Sequence, residues 1–139
     1  MRIAVVTASF LPRVGGAEFA VHYLAQEWSA RGHDVVVLNH VSHVASRPEA
    51  KYEVRRYRRP PASSHYPLHG RFTSWFVGRQ LDSLLRDFSP DAMSAHFVYP
   101  IAVWLHLLSP TPPFVVTAHG PALNQTAEGP RQRYGIDNL

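Results

Sequence analysis

The chain has 139 residues, 45% of them hydrophobic and 17% charged, with a formal net charge of +4 and no cysteine. That length and balance fit one soluble globular domain with a proper core, and they exclude disulfides, a thiolate metal site and a cysteine nucleophile. No apolar run approaches the ~20 residues of a spanning helix, and the N-terminal run is too short for a signal peptide, so any membrane contact is expected to be peripheral.

Residues 3–8 are largely apolar and rich in β-branched side chains, the pattern of a central strand buried on both faces of a parallel sheet. Pro12-Arg13-Val14-Gly15-Gly16-Ala17-Glu18 follows. Its two adjacent glycines let backbone amides approach a ligand, and the helix after them turns unpaired N–H groups and a positive dipole end toward any anion. An ordinary tight turn is the alternative. Over residues 17–31, Phe19, Ala20, Tyr23, Leu24 and Trp28 recur at helical spacing and predict the packed face, with Gly32 as the stop. Asp34 then leads into the unbroken apolar run 35–38, a second buried strand that completes a right-handed βαβ unit.

Residues 52–57 predict a more polar third strand at an edge of the sheet. Around Tyr57 stand Arg55, Arg56, Arg58 and Arg59, with Lys51 just before them. Such a patch suits anionic lipid head groups or a phosphorylated substrate, while a solvated edge strand using charge against aggregation accounts for it equally well. Nucleic acid is disfavoured as a partner, since no motif resembles a nucleic-acid module. Residues 60–70 are too rich in proline for regular structure and predict a mobile surface loop.

Phe72, Trp75, Phe76, Leu81, Leu84, Leu85 and Phe88 then mark a second helix, stopped by Ser89-Pro90. Residues 91–95 predict a fourth strand and 101–108 a third, well-buried helix. After a proline-rich stop, residues 114–118 predict a fifth strand that delivers His119-Gly120 at its carboxyl end. The boundaries drawn are one domain over residues 1–120, then a polar tail or a truncated continuation of the same domain over 121–139.

This alternation predicts an α/β fold: a doubly wound, Rossmann-like parallel sheet of five strands in the order 3-2-1-4-5. Ligands of such sheets bind beyond the carboxyl ends of the strands, near the switch point between the first and fourth. The Gly15-Gly16 loop, the segment from His96 to Tyr99 and Thr117-Ala118-His119-Gly120 all fall there. No G-x-G-x-x-G turn, P-loop or G-x-S-x-G elbow is present, which disfavours a dinucleotide oxidoreductase, a P-loop enzyme and a triad hydrolase. Among nine histidines, His40 with His43 and His65 with His69 have pairwise spacing but no accompanying carboxylates, and no metal site is expected.

Five pieces in order carry a resemblance: Arg2-Ile3-Ala4-Val5-Val6, residues 12–18 with their glycine pair, Arg31-Gly32-His33-Asp34-Val35, Pro90-Asp91 leading to His96, and Val116-Thr117-Ala118-His119-Gly120. Together they resemble the N-terminal, acceptor-side domain of family-4-like retaining glycosyltransferases of the GT-B architecture. The resemblance implies two facing Rossmann-like domains, a sugar or lipid-linked acceptor on this one, a nucleotide-sugar co-substrate on the other, and no bound metal or other cofactor. It matches Gly15 and Gly16 to the loop near the donor diphosphate and His119 to the catalytic histidine bordering the reacting sugar. His96, Tyr99 and Glu18 fall on the acceptor side, and His33 reads as structural. Against the full pattern the last strands of the sheet and the donor-binding domain are missing. The chain is therefore expected to be an acceptor-binding half, inactive until a C-terminal domain or a separate chain supplies the donor side. A cytoplasmic location is expected, peripheral at the inner membrane face if the arginine patch meets lipid. The competing reading is a non-catalytic α/β module that binds a phosphorylated ligand or a protein partner through the same cleft.

Overall fold

The computed structural model describes residues 1–40, 50–58, 69–97, 101, 103–106, 108 and 112–119. Its elements in chain order are β1 (Arg2–Thr7), α1 (Gly16–Ala30), β2 (Asp34–Asn39), β3 (Glu53–Arg56), α2 (His69–Phe88), β4 (Ala92–His96), α3 (Val103–His106) and β5 (Phe114–Thr117). All five strands are parallel, in the order β3-β2-β1-β4-β5 that the sequence predicts. The polar tail expected over 121–139 and most of the proline-rich loop lie outside the described residues.

Period-two alternation divides the sheet's side chains between two cores. Ala4, Val6, Val36, Leu38, Met93 and Ala95 face the side covered by Leu81 and Leu85 of α2 and Leu105 of α3. Ile3, Val5, Val35 and Val37 face Val21 and Ala25 of α1. Because β1 and β2 are buried on both faces, their sequences are continuous apolar runs, not alternating ones.

Gly32 ends α1 as expected. It takes the left-handed conformation at φ 84°. Its N–H donates to the Ser29 carbonyl at 3.0 Å, and the His33 N–H donates to the Trp28 carbonyl at 3.1 Å, which satisfies two of the open carbonyls of the last turn.

The packed face of α1 differs from the expectation. Glu18, Val21, His22 and Ala25 are buried, whereas Tyr23 is 62% exposed and Ala20 faces solvent. The apolar stripe lost to a polar seam: Ser9 donates its hydroxyl to the Glu18 carboxylate, and His22 Nδ1 lies 2.5 Å from the Tyr52 hydroxyl. Those partners allow polar side chains to enter the interface, which hydrophobic spacing alone does not foresee; Phe19 and Trp28 of the expected stripe pack against that core partly buried. Tyr57 is similar. Beside an exposed, charged edge strand, it is fully buried and donates its hydroxyl to the Thr7 carbonyl at 3.0 Å.

Candidate functional site

The first part of the site grows from the end of β1. Thr7 Oγ1 donates to the Ser9 carbonyl at 2.8 Å, and the Arg13 N–H donates to the Phe10 carbonyl at 3.2 Å, so the connection to α1 is held by short-range bonds. Gly15 is the N-cap of α1 in extended conformation with no side-chain cap, leaving the first N–H groups of the helix without a side-chain acceptor. The two glycines then diverge. A Cβ on Gly15 would collide with the Glu18 carboxylate, whereas one on Gly16 would meet nothing within 4 Å. Gly15 thus makes room for a buried side chain, and Gly16 opens the backbone to solvent.

Glu18 is turned inward, 7% exposed and bonded to Ser9. Its carboxylate already supplies negative charge to the positive end of α1, a favourable placement in a first helical turn. An anion arriving at Gly16 shares that end with it.

The second part is built where β4 and β5 end. In register, Thr7 of β1 stands beside His96, and Thr117 of β5 stands on its other side. Phe97 leaves the strand at φ 75°, in the left-handed region that a non-glycine residue seldom adopts. Its N–H donates to the Thr117 carbonyl at 3.0 Å. This turn sets His119 against His96: Nδ1 of His96 lies 2.8 Å from Nε2 of His119, with the ring centroids 5.1 Å apart and the planes within 17°. Nearly coplanar rings with so short a nitrogen contact meet edge to edge. Ser94 Oγ sits 3.1 Å from the other nitrogen of His96, and the Phe97 ring lies 5.2 Å from that of His119.

His96 is 2% exposed, and its pKa falls to about 4, chiefly through desolvation and then through the proximity of His119. It is neutral at physiological pH, and the contact to His119 is a hydrogen bond in which the buried ring carries no charge.

The structure brings His96 and His119 together and places the Gly15-Gly16 loop at the same carboxyl edge of the sheet. Tyr99 and Arg59 lie outside the described residues. Arg55 is engaged within the fold: Glu53 and Asp87 pair with its guanidinium, which they hold above its ordinary pKa, and it lies over the Phe88 ring. Arg56 and Arg58 are exposed, with the backbone of Arg58 bonded to Gln80. Among the described residues no three His, Asp or Glu side chains gather as metal ligands would, and no helix is long and apolar enough to cross a membrane. Of the paired histidines, His43 and His65 lie outside the described residues.

Sequence reasoning missed Ser94, Ser9 and the His22–Tyr52 contact. Ser94 was detectable in principle, because it precedes His96 by two residues and a strand puts both on one face. Ser9 and Tyr52 carry no comparable local signal, since their partners come from distant segments.

The family model described as Glycosyltransferase Family 4 matches residues 14–137. Similar solved structures include sucrose-phosphate synthase from Thermosynechococcus elongatus, 14% identical over 94% of this chain and 36% of that one, with a TM-score of 0.67. The calicheamicin glycosyltransferase CalG4 is 15% identical over 98% of this chain and 37% of its own, with a TM-score of 0.56. The glycosyltransferase SnogD from Streptomyces nogalater is 19% identical over 98% and 40%, also with a TM-score of 0.56. The chain therefore spans well under half the length of each, and at these identities the likeness is one of fold. No curated protein matches the sequence.

Proposed function

Because the chain belongs to glycosyltransferase family 4, we propose that it is the acceptor-binding half of a retaining glycosyltransferase, moving a sugar from a nucleotide-sugar donor to a hydroxyl acceptor. The observation that carries this reading is the hydrogen-bonded His96–His119 pair at the carboxyl ends of β4 and β5, on the same sheet edge as the open Gly16 backbone.

In this reading the uncapped N–H groups at the start of α1 face the donor diphosphate, where negative charge grows as the glycosidic bond to the leaving group breaks. His119 touches the transferring sugar or the incoming hydroxyl, and His96 holds the His119 ring at a fixed edge. A donor-binding domain, in the same polypeptide or a separate chain, supplies the opposite wall, and the alignment of donor with acceptor depends on both. No bound metal is required. The exposed Arg56 and Arg58 favour a lipid-linked acceptor at an anionic membrane surface, on the cytoplasmic face.

The test joins the chain to a donor-binding domain of the same family and assays sugar transfer from a panel of nucleotide sugars. Transfer is expected in the joined protein and not in the isolated chain. His119→Ala is expected to lower it by about 100-fold with the thermal midpoint unchanged. Pyrophosphate binding without turnover in every such assembly would instead support a non-catalytic phosphoryl-binding module.

A further inference from the structure

Ser94 and His96 stand two residues apart on β4 and share one face of the strand, with Val5 and Thr7 of β1 beside them in register. Ser94 is 7% exposed and His96 2%, so water does not compete for their polar atoms. A line of contacts results: Ser94 Oγ to His96 Nε2 at 3.1 Å, then His96 Nδ1 to His119 Nε2 at 2.8 Å.

With His96 neutral, this line can run in two directions. In one, the Ser94 hydroxyl donates to Nε2 of His96, whose proton sits on Nδ1 and is donated to Nε2 of His119. Neutral His119 then carries its own proton on Nδ1. In the other, His119 donates from Nε2 to His96, and His96 donates from Nε2 to Ser94. The Ser94 hydroxyl hydrogen is then left over, and among the described residues Oγ has no partner other than His96. A buried hydroxyl proton without an acceptor is costly. The first direction uses both buried polar hydrogens and leaves over only the Nδ1–H of His119, on a ring that is half-buried and open to a ligand or solvent.

We infer that Ser94 and His96 are positioning residues that hold neutral His119 with its proton on Nδ1, so that His119 offers its ligand a hydrogen-bond donor and not a base. The ligand atom it recognises is an oxygen with a lone pair to give, on a phosphoryl group or a sugar. Only that last step rests on the proposed transferase reading. Among the described residues, Thr7 on β1, Thr117 on β5 and the Phe97 ring neighbour the pair and are uncharged. No carboxylate among those residues bonds either ring or pulls the line the other way. Burial keeps His96 uncharged at neutral pH, which preserves its ability to donate from one nitrogen while accepting at the other.

Long-range proton–nitrogen correlation spectra of the 139-residue chain at about pH 8.5, where imidazoles are neutral, read both tautomers directly. The expected result is His119 protonated on Nδ1 and bare on Nε2, opposite to the tautomer an exposed imidazole favours. Without the hydroxyl either direction leaves Nε2 of His96 unpartnered, so the ordinary imidazole preference for Nε2–H comes into play: Ser94→Ala is expected to raise the Nε2–H fraction of His119, and Ser94→Thr, which keeps the hydroxyl, to retain the Nδ1–H form. A wild-type His119 carrying its proton on Nε2, or a tautomer indifferent to Ser94→Ala, overturns the inference. Should Ser94→Ala not fold, the wild-type spectrum decides alone. Substrate is absent throughout, so failure of the transferase reading leaves these spectra standing, and a wrong tautomer leaves the transferase reading standing.

Discussion

The two ends of the sheet are finished in different ways. At the amino ends, polar groups close on one another: the Arg2 N–H donates to Asp91 at 2.7 Å, the Asp91 N–H donates back to the Arg2 carbonyl at 2.8 Å, and the Asp34 N–H donates to Met1 at 2.9 Å. Arg2 adds an ion pair with Asp34 at 3.4 Å. At the carboxyl ends the groups stay open or strained, with an uncapped helix start at Gly15, a left-handed Phe97 and two histidines sharing a hydrogen bond. One end stabilises strands, and the other keeps donors available. The sequence strings that suggested the family are divided between them: Gly32-His33-Asp34 and Pro90-Asp91 belong to the closed end, and the glycine pair and His119 to the open one.

That division can be broken most forcefully with acid. Unfolded, His96 would titrate near 6.5, whereas in the fold it does so at about 4. Below 6.5 the unfolded chain therefore binds a proton that the native state refuses, and stability falls as pH drops toward 4, by about 3 kcal/mol from this group. Denaturant unfolding at neutral and acid pH measures the loss. His96→Gln is expected to flatten that part of the pH dependence, and an unchanged slope would remove the buried ring as its cause.

The glycine pair offers a sharper contrast at one locus. Gly15→Ala is expected to cost about 1–2 kcal/mol, because the new methyl must displace a buried, hydrogen-bonded carboxylate. Gly16→Ala leaves the thermal midpoint nearly unchanged and weakens pyrophosphate binding, measured by calorimetry. Equal loss of stability in both would erase the distinction between them. At the closed end, Asp91→Ala is expected to cost about 1 kcal/mol, seen as a lower denaturant midpoint, while pyrophosphate affinity stays as it was. The smallest expected effect is that of Glu18→Gln. It keeps an acceptor for Ser9 but removes a like charge from the helix start, so pyrophosphate should bind a few-fold more tightly, an advantage of about 0.5–1 kcal/mol that salt diminishes.

Strand order was legible in the sequence because β1 and β2 announce themselves as doubly buried runs and β3 as a charged edge, which leaves little topological choice. The face of α1 was not, since Glu18 and His22 enter the core only by virtue of Ser9 and Tyr52, contacts that no periodicity encodes. The site was half legible. His96 and His119 could be assigned to one edge from strand ends alone, but their direct contact depends on the turn at Phe97. Arg55 reads as free surface charge until Asp87, 32 residues away, is folded against it.

The central place of β1 also has a consequence for assembly. Its neighbour β4 begins at Ala92, 89 residues beyond its register partner Ile3. At synthesis rates of about 5–20 residues per second, β1 can pair with β2 early but waits roughly 5–20 s for β4 to be made. During that interval one side of the central strand is an unclosed backbone ladder, and holding other nascent chains away from it is a kinetic task.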